Sequence, residues 1–117
     1  MTGQRISLFP LAGALLLPGA HLPLHIFEPR YRALVSDALA RDRLIGMVQP
    51  RDTSPRPELY PVGCLGRIVE FEALEGGRYN IILSGLGRFR ILRELDVATP
   101  FRQVEAEVEP EAEAEPE

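Results

Sequence analysis

Few side chains in this 117-residue chain could do chemistry, and two histidines are the first to consider. His21 and His25 are four residues apart, a spacing that on a helix brings two imidazoles to one metal ion. Pro23 stands between them, and a proline inside a helix removes a hydrogen bond and clashes with the preceding turn. On a strand, four residues span about 13 Å, too far for both rings to reach one ion. We therefore predict no metal site, and we expect His25 to be a hydrogen-bonded structural residue.

The parts needed for nucleophilic catalysis are missing from the sequence. A hydrolytic serine needs an activating partner, but none of the four serines lies in a Gly-x-Ser-x-Gly sequence, and all 13 basic residues are arginine. The segment Gly85-Leu86-Gly87 lacks the Gly-Lys-Ser/Thr ending of a phosphate-binding loop. The single cysteine, Cys64, excludes an internal disulfide and is typical of a small core residue. We predict that the chain is not an enzyme and needs no cofactor.

Two arginines could form a stripe for nucleic acid. Arg88 and Arg90 flank Phe89, and basic residues interleaved with an aromatic one are typical of such surfaces. However, residues 1–100 carry a net charge of only +2, and residues 101–117 carry −6, which would repel phosphate. We predict outward arginines on an exposed strand, and RNA binding stays the less favoured alternative.

The leucines near the start of the chain are more numerous than the edge of one small barrel needs for its core. They are Leu15, Leu16, Leu17 and Leu22. We expect most of them to belong to the core. Any that are exposed would form an apolar patch suited to extended or unfolded polypeptide segments.

The residues after Phe27 predict a helix. Pro29 suits the first helical position, which makes Glu28 the expected N-cap residue, with its carboxylate near the positive end of the helix dipole. Glu28 and Arg30 could be an acid–base pair, but a cap and a bridge to a neighbouring segment explain them better. Apolar residues at helical spacing predict a helix over about residues 29–42 with one buried face. That face comprises Tyr31, Leu34, Val35, Ala38 and Leu39.

Short extended segments account for most of the remaining chain. Proline-rich residues 50–61 predict a surface loop, Gly76-Gly77 a hairpin turn, and Gly85-Leu86-Gly87 a change of direction. With six or seven short strands and one helix, we predict a mainly β (α+β) domain over residues 1–108, a small, partly closed antiparallel barrel. Residues 109–117 form an acidic Glu/Ala/Pro tail, which we expect to be disordered. The predicted strands are residues 6–10, 21–27, 44–48, 62–74, 79–84, 88–92 and 101–108, with a short extended piece at 14–17.

The junction HLPLHIFEPRYRALV, residues 21–35, resembles the signature of the Lon N-terminal domain, the substrate-recognition domain of the Lon ATP-dependent protease. Further segments agree in order and spacing over roughly residues 5–108, as in small stand-alone bacterial proteins of this family. The resemblance implies a PUA-like pseudo-β-barrel. It also marks a set of family residues, which we interpret as mainly structural: Pro23, His25, Phe27, Glu28, Pro29, Arg30, Tyr31, Gly85, Arg88 and Phe89.

The resemblance further implies a non-catalytic module that binds exposed apolar segments of unfolded or extended polypeptides through an apolar groove and an unpaired strand edge. A structural adaptor that docks on a folded partner or self-associates is the alternative, and RNA binding through the barrel is less favoured. No apolar run approaches the ~20 residues that span a bilayer, and the N-terminus does not match a signal peptide. We expect a cytoplasmic protein without a membrane partner.

Overall fold

The computed structural model describes residues 3–109, so the predicted acidic tail lies outside the described residues except for Glu109. No helix among the described residues is long and apolar enough to cross a membrane. A short 3-10 turn, Glu75–Gly77, joins β4 to β5. The elements in chain order are β1 (Gln4–Pro10), β2 (His21–Ile26), α1 (Pro29–Leu39), β3 (Leu44–Val48), β4 (Val62–Ala73), β5 (Tyr79–Glu94) and β6 (Gln103–Val108).

Five of these strands close into a small barrel. β3 pairs with β1 and β4, β5 pairs with β4, and β6 pairs with β1 and with the second half of β5. β2 lies outside the ring because it pairs with the first half of β5, from Tyr79 to Ser84. The predicted fold class, β-rich with one conspicuous helix, is confirmed. The wholly antiparallel arrangement is wrong, since β1 and β3 run parallel, joined by a crossover that contains α1.

β5 is one strand of 16 residues, whereas the sequence predicted two strands separated at Gly85-Leu86-Gly87. Leu65 pairs with Gly87 and Gly66 with Gly85, which leaves Leu86 as an extra residue in the ladder. An extra residue is a β-bulge, which bends a strand without ending it. The glycines therefore bend β5, so that its first half carries β2 and its second half completes the barrel.

Helix α1 begins as predicted and ends earlier. Pro29 is its first residue and Glu28 its N-cap in extended conformation, but the Glu28 carboxylate makes no capping hydrogen bond. It instead accepts from Arg30 Nε at 3.4 Å, as a surface pair. The helix ends at Leu39 with Ala40 as its C-cap. Beyond the end, Arg43 adopts a left-handed φ of 67° and donates its N–H to the Ala38 carbonyl at 2.8 Å.

The buried residues form two clusters, one inside the barrel and one between the barrel and α1. Alternation along β1 sends Leu8 inward and Phe9 toward the helix. Cys64 belongs to the second cluster as a free, buried thiol whose pKa is raised by burial. The barrel cluster comprises Ile6, Leu8, Val48, Leu65, Phe89, Val104 and Ala106. The helix cluster includes the predicted helix face, namely Tyr31, Leu34, Val35 and Ala38, with Leu39 packed against it.

Two polar contacts hold α1 against the β4–β5 hairpin. Arg32 Nη1 donates to the Gly76 carbonyl, and Ser36 Oγ lies 2.8 Å from Tyr79 Oη. These contacts orient the part of the sheet that extends beyond the barrel, made of β2, the first half of β5 and the second half of β4.

An ion-pair cluster fastens the proline-rich loop to the barrel. Arg102 donates Nε and Nη2 to the two Glu94 carboxylate oxygens, both at 2.8 Å, and Nη1 to the Pro57 carbonyl at 2.7 Å. Arg56 Nη2 also lies 2.7 Å from Glu94. Hydrogen bonds from Arg102 hold the pKa of Glu94 below its ordinary value of 4.5, despite partial burial.

Replacing Glu94 by glutamine is expected to destabilise the domain by about 1 kcal/mol at pH 7, a value reduced because the cluster is partly exposed. The carboxyl has a lower pKa in the folded chain than in the unfolded chain. Its stabilisation is therefore present above pH 4.5 and is lost as the pH falls through the folded-state pKa. Urea unfolding at several pH values should show a shallower acid dependence for Glu94→Gln than for the parent. Asp96→Asn, an exposed neighbour, is the control; equal acid dependence in all three proteins would contradict the prediction.

Candidate functional site

The predicted apolar surface is divided by the structure. Leu15 and Leu17 are 70% and 54% exposed, whereas Leu16 is only 4% exposed and belongs to the helix cluster. Leu16 points inward over Gly66, where a Cβ would come within 2.9 Å of its Cδ2 atom. Leu22 is half-buried against the same cluster. Leu16 is therefore a correction to the predicted surface, because it fills space left by the glycine.

The first half of the family junction has exposed side chains. Pro23, His25 and Phe27 are all exposed, and Phe27 keeps 59% of its surface. The Phe27 ring stacks on His25 with centroids 5.9 Å apart and an interplanar angle of 25°. His25 Nδ1 is hydrogen-bonded to Asn80 Oδ1 at 2.8 Å. Burial does not explain these three residues, and strand alternation in the sequence was the signal that could have separated them from their buried neighbours.

Two other residues of the family set, Tyr31 and Phe89, are buried. Tyr31 packs its ring 4.2 Å from that of Phe9, and Arg30 lies over the Tyr31 ring at 4.8 Å. Phe89 is fully buried in the barrel. Burial in the helix cluster raises the pKa of the Tyr31 hydroxyl.

Arg88 and Arg90 do point outward, as the alternation about Phe89 predicts. Arg88 Nε lies 3.4 Å from Glu109, while its carbonyl accepts the Glu109 N–H at 2.9 Å. Arg90 is opposite Glu107 on β6. Acidic neighbours therefore accompany both arginines of the predicted stripe.

The part of the sheet that extends beyond the barrel has an outer face, and the pairing register of its strands determines which side chains lie on it. Ile81 and Leu83 point into the helix cluster, so the alternate residues of β5 point outward. A register shift between Ile68 and Glu70 places the following alternate residues of β4 on the same face. Two rows of side chains result, Pro23–Ile82–Glu70 and His25–Asn80–Glu72.

These two rows line a shallow groove of about 470 Å³, which we call the outer groove. Ile82 and Pro23 supply apolar surface, and Glu70 and Glu72 supply two carboxylates. Asn80 links the row by donating Nδ2 to Glu72 Oε1 at 3.3 Å while its own Oδ1 contacts His25. Within residues 3–109 neither carboxylate forms an ion pair, so the groove combines an apolar floor with uncompensated negative charge.

β2 forms one border of this face and, among the described residues, has a strand on one side only. Gly85 donates its N–H to the Ala20 carbonyl at 2.8 Å, so the backbone groups of Ala20 face β5. Because the hydrogen-bonding groups of successive residues in a strand face opposite sides, those of His21, Pro23 and His25 face the open edge. Pro23 has no N–H to offer there. The edge is therefore poorly suited to the addition of another strand.

The structure offers no cluster for metal chemistry in the described part of the chain. No group of three or more histidine, cysteine, aspartate or glutamate side chains among residues 3–109 could hold an ion. His25, the only histidine of the outer groove, has its Nδ1 on Asn80.

Known proteins resemble this chain over nearly its whole length. The family model described as the ATP-dependent protease La (LON) substrate-binding domain matches residues 5–117. Lon protease 2 of Sorangium cellulosum is 33% identical over 112 residues, which cover 92% of this chain and 14% of that protein. Lon protease 2 of Myxococcus xanthus is 31% identical over 102 residues, 84% of this chain and 12% of that one. The chain thus spans about one seventh or less of these relatives.

Two solved structures share the fold. The Lon N-terminal domain protein from Xanthomonas campestris superposes with a TM-score of 0.72 at 30% identity, over 90% of this chain and 59% of that one. The N-terminal domain of Mycobacterium avium complex Lon protease gives a TM-score of 0.67 at 20% identity, over 96% of this chain and 58% of that one.

Proposed function

This chain belongs to the family of the LON substrate-binding domain, and we propose that it is a non-catalytic module that binds exposed apolar segments of unfolded or extended polypeptides. The matching family model describes the substrate-binding domain of a protease, and the substrate of a protease is a polypeptide. A polypeptide partner is thus the general character of the family, and the preference for apolar segments is our proposal.

One observation carries the proposal: three large apolar side chains between residues 15 and 27 are more than half exposed. They are Leu15, Leu17 and Phe27, with exposed fractions of 70%, 54% and 59%. Side chains of this kind lose contact with water when they pack against an apolar segment, which favours binding. An unfolded segment must be ordered on binding, so we expect an affinity of about micromolar or weaker.

A titration of the 15N-labelled protein with a reduced, carboxymethylated and therefore unfolded protein tests this function. We expect amide shifts at residues 15–17 and 27, and none with the same protein in its folded form. Stoichiometric binding of a folded partner, with indifference to unfolded chains, would instead support the adaptor alternative. Absence of shifts at about millimolar ligand, far above the expected dissociation constant, would exclude the proposal.

The double substitution Leu15→Ser/Leu17→Ser is expected to weaken binding of the unfolded protein about three- to tenfold, since it removes apolar contact area. Both side chains are exposed, so the free energy of unfolding should change by less than about 0.5 kcal/mol each. Leu92→Ser, at a 50% exposed position near the far end of β5, is the matched control. Fluorescence anisotropy with the labelled unfolded protein measures the effect, and equal affinity in all three proteins would remove these leucines from the site.

A further inference from the structure

We propose that the outer groove selects, among apolar segments, those that carry an arginine or lysine two residues away from an apolar side chain. The inference rests on the proposed function, because it assumes that unfolded segments bind this domain. It assigns a substrate preference to a surface formed by residues from three strands.

The first argument is charge. Glu70 and Glu72 are the two acidic residues that line the outer groove, and within residues 3–109 neither is paired with a cation. Arg67 lies one row further along β4, opposite Ser84, and is not part of the lining. Arg43 lies over the Phe71 ring at 5.5 Å. A cationic side chain in the groove would therefore meet two carboxylates that have no ion pair within residues 3–109, one of which, Glu72, accepts a hydrogen bond from Asn80.

The second argument is the apolar surface beside these carboxylates. Ile82 lies between Pro23 and Glu70 in the register, so apolar surface and negative charge are on adjacent strands, about 5 Å apart. The Phe27 ring, stacked on His25, adds exposed aromatic surface beside the second row. A ligand side chain that packs on Ile82 thus has a carboxylate within reach of its neighbour.

The third argument is the geometry of an extended ligand. Side chains at i and i+2 of an extended peptide point to the same face and are about 7 Å apart, whereas those at i and i+1 point to opposite faces. Only the i, i+2 arrangement places an apolar and a basic side chain on the groove together. Pro23 removes the backbone donor at the centre of the β2 edge, so these side-chain contacts would carry the recognition.

Binding of labelled peptides tests the inference. Three peptides share one uncharged, flexible host sequence and differ only at the last residue of a central tripeptide, which is Phe-Ser-Arg, Phe-Ser-Gln or Phe-Ser-Glu. A fourth peptide contains Phe-Arg-Ser in the same host. We expect Phe-Ser-Arg to bind about three- to tenfold more tightly than Phe-Ser-Gln at low salt, as two exposed ion pairs allow. The preference should shrink in about 0.5 M NaCl, and Phe-Arg-Ser should bind like Phe-Ser-Gln.

Matched variants locate the effect. Glu70→Gln/Glu72→Gln should abolish the preference for arginine, so that Phe-Ser-Arg and Phe-Ser-Gln bind this variant with equal affinity. Glu58→Gln/Asp96→Asn changes the net charge equally at exposed positions outside the groove and should keep the preference. Equal binding of all peptides, or equal loss in both double variants, would overturn this inference and leave the proposed function standing. Failure of every peptide and of an unfolded protein to bind would instead reject the proposed function.

Discussion

Replacing Phe89 by alanine is expected to destabilise the domain by about 3–5 kcal/mol, because it removes a large, fully buried side chain. The Phe89 side chain is fully buried and is the largest of the fully buried set. It fills the barrel, where its neighbours come from β1, β3, β4 and β6. The lost stability combines the transfer free energy of the ring with the energetic cost of the cavity that remains, because the strands of the closed barrel cannot move together to fill it.

Urea unfolding followed by circular dichroism measures this loss. Because domains of this size have a total stability of about 5–15 kcal/mol, the alanine variant can be largely unfolded at 37 °C. Phe89→Leu keeps much of the volume and should lose clearly less, which keeps the prediction measurable. Leu92→Ala, on the same strand and half exposed, should stay within about 0.5 kcal/mol of the parent. A loss below 1 kcal/mol in Phe89→Ala would show that the ring does not pack the barrel.

Replacing Gly85 by alanine is expected to cost about 2–3 kcal/mol, from overpacking and from hydrogen bonds that must be given up. A Cβ at this position would overlap the Leu17 carbonyl group and lie 3.3 Å from Leu16 Cγ. The segment must then move away, which endangers two bonds of 2.8 Å, from the Gly19 N–H to the Gly85 carbonyl and from the Gly85 N–H to the Ala20 carbonyl.

The same substitution should also weaken binding of unfolded protein, because Leu15 and Leu17 belong to the displaced segment. Amide shifts concentrated at residues 14–20, together with the lowered stability, would identify this displacement. Ser84→Ala, one residue earlier and without this contact, is the control and should match the parent in both measurements. If Gly85→Ala has the stability and the affinity of the parent, the segment is not seated on β5 as the structure places it.

The family signature therefore combines two kinds of residue. Pro29 and Tyr31 begin and bury the helix, and Phe89 fills the barrel. Pro23, His25 and Phe27 lie exposed at or beside the outer groove, where His25 makes the kind of hydrogen bond expected of it, to Asn80. We propose that this exposed half contributes to ligand contact, while the buried half maintains the fold that presents it.

The sequence by itself determined what depends on neighbouring residues. Pro29 at the first helical position and the i, i+3, i+4 spacing after it identify α1 and its buried face, since both follow from local backbone geometry. Gly76 and Gly77 likewise mark the turn before β5, where both adopt a φ of 78°. Together with the resemblance to a known family, these local signals were sufficient to predict the fold class.

The tertiary structure alone decided which of the remaining residues are accessible. Leu16 is buried, whereas Leu15 and Leu17 are exposed. Gly66, 50 residues after Leu16, leaves space for the Leu16 side chain, and Gly85, 68 residues after Leu17, lies against the Leu17 backbone. The bulge at Leu86 keeps β5 continuous, and the register shift before Glu70 places Glu70 opposite Ile82 and Glu72 opposite Asn80. Such placements depend on pairing between distant strands, whose register a local pattern does not specify. For that reason the helix could be located from the sequence, whereas the outer groove became visible only in the folded chain.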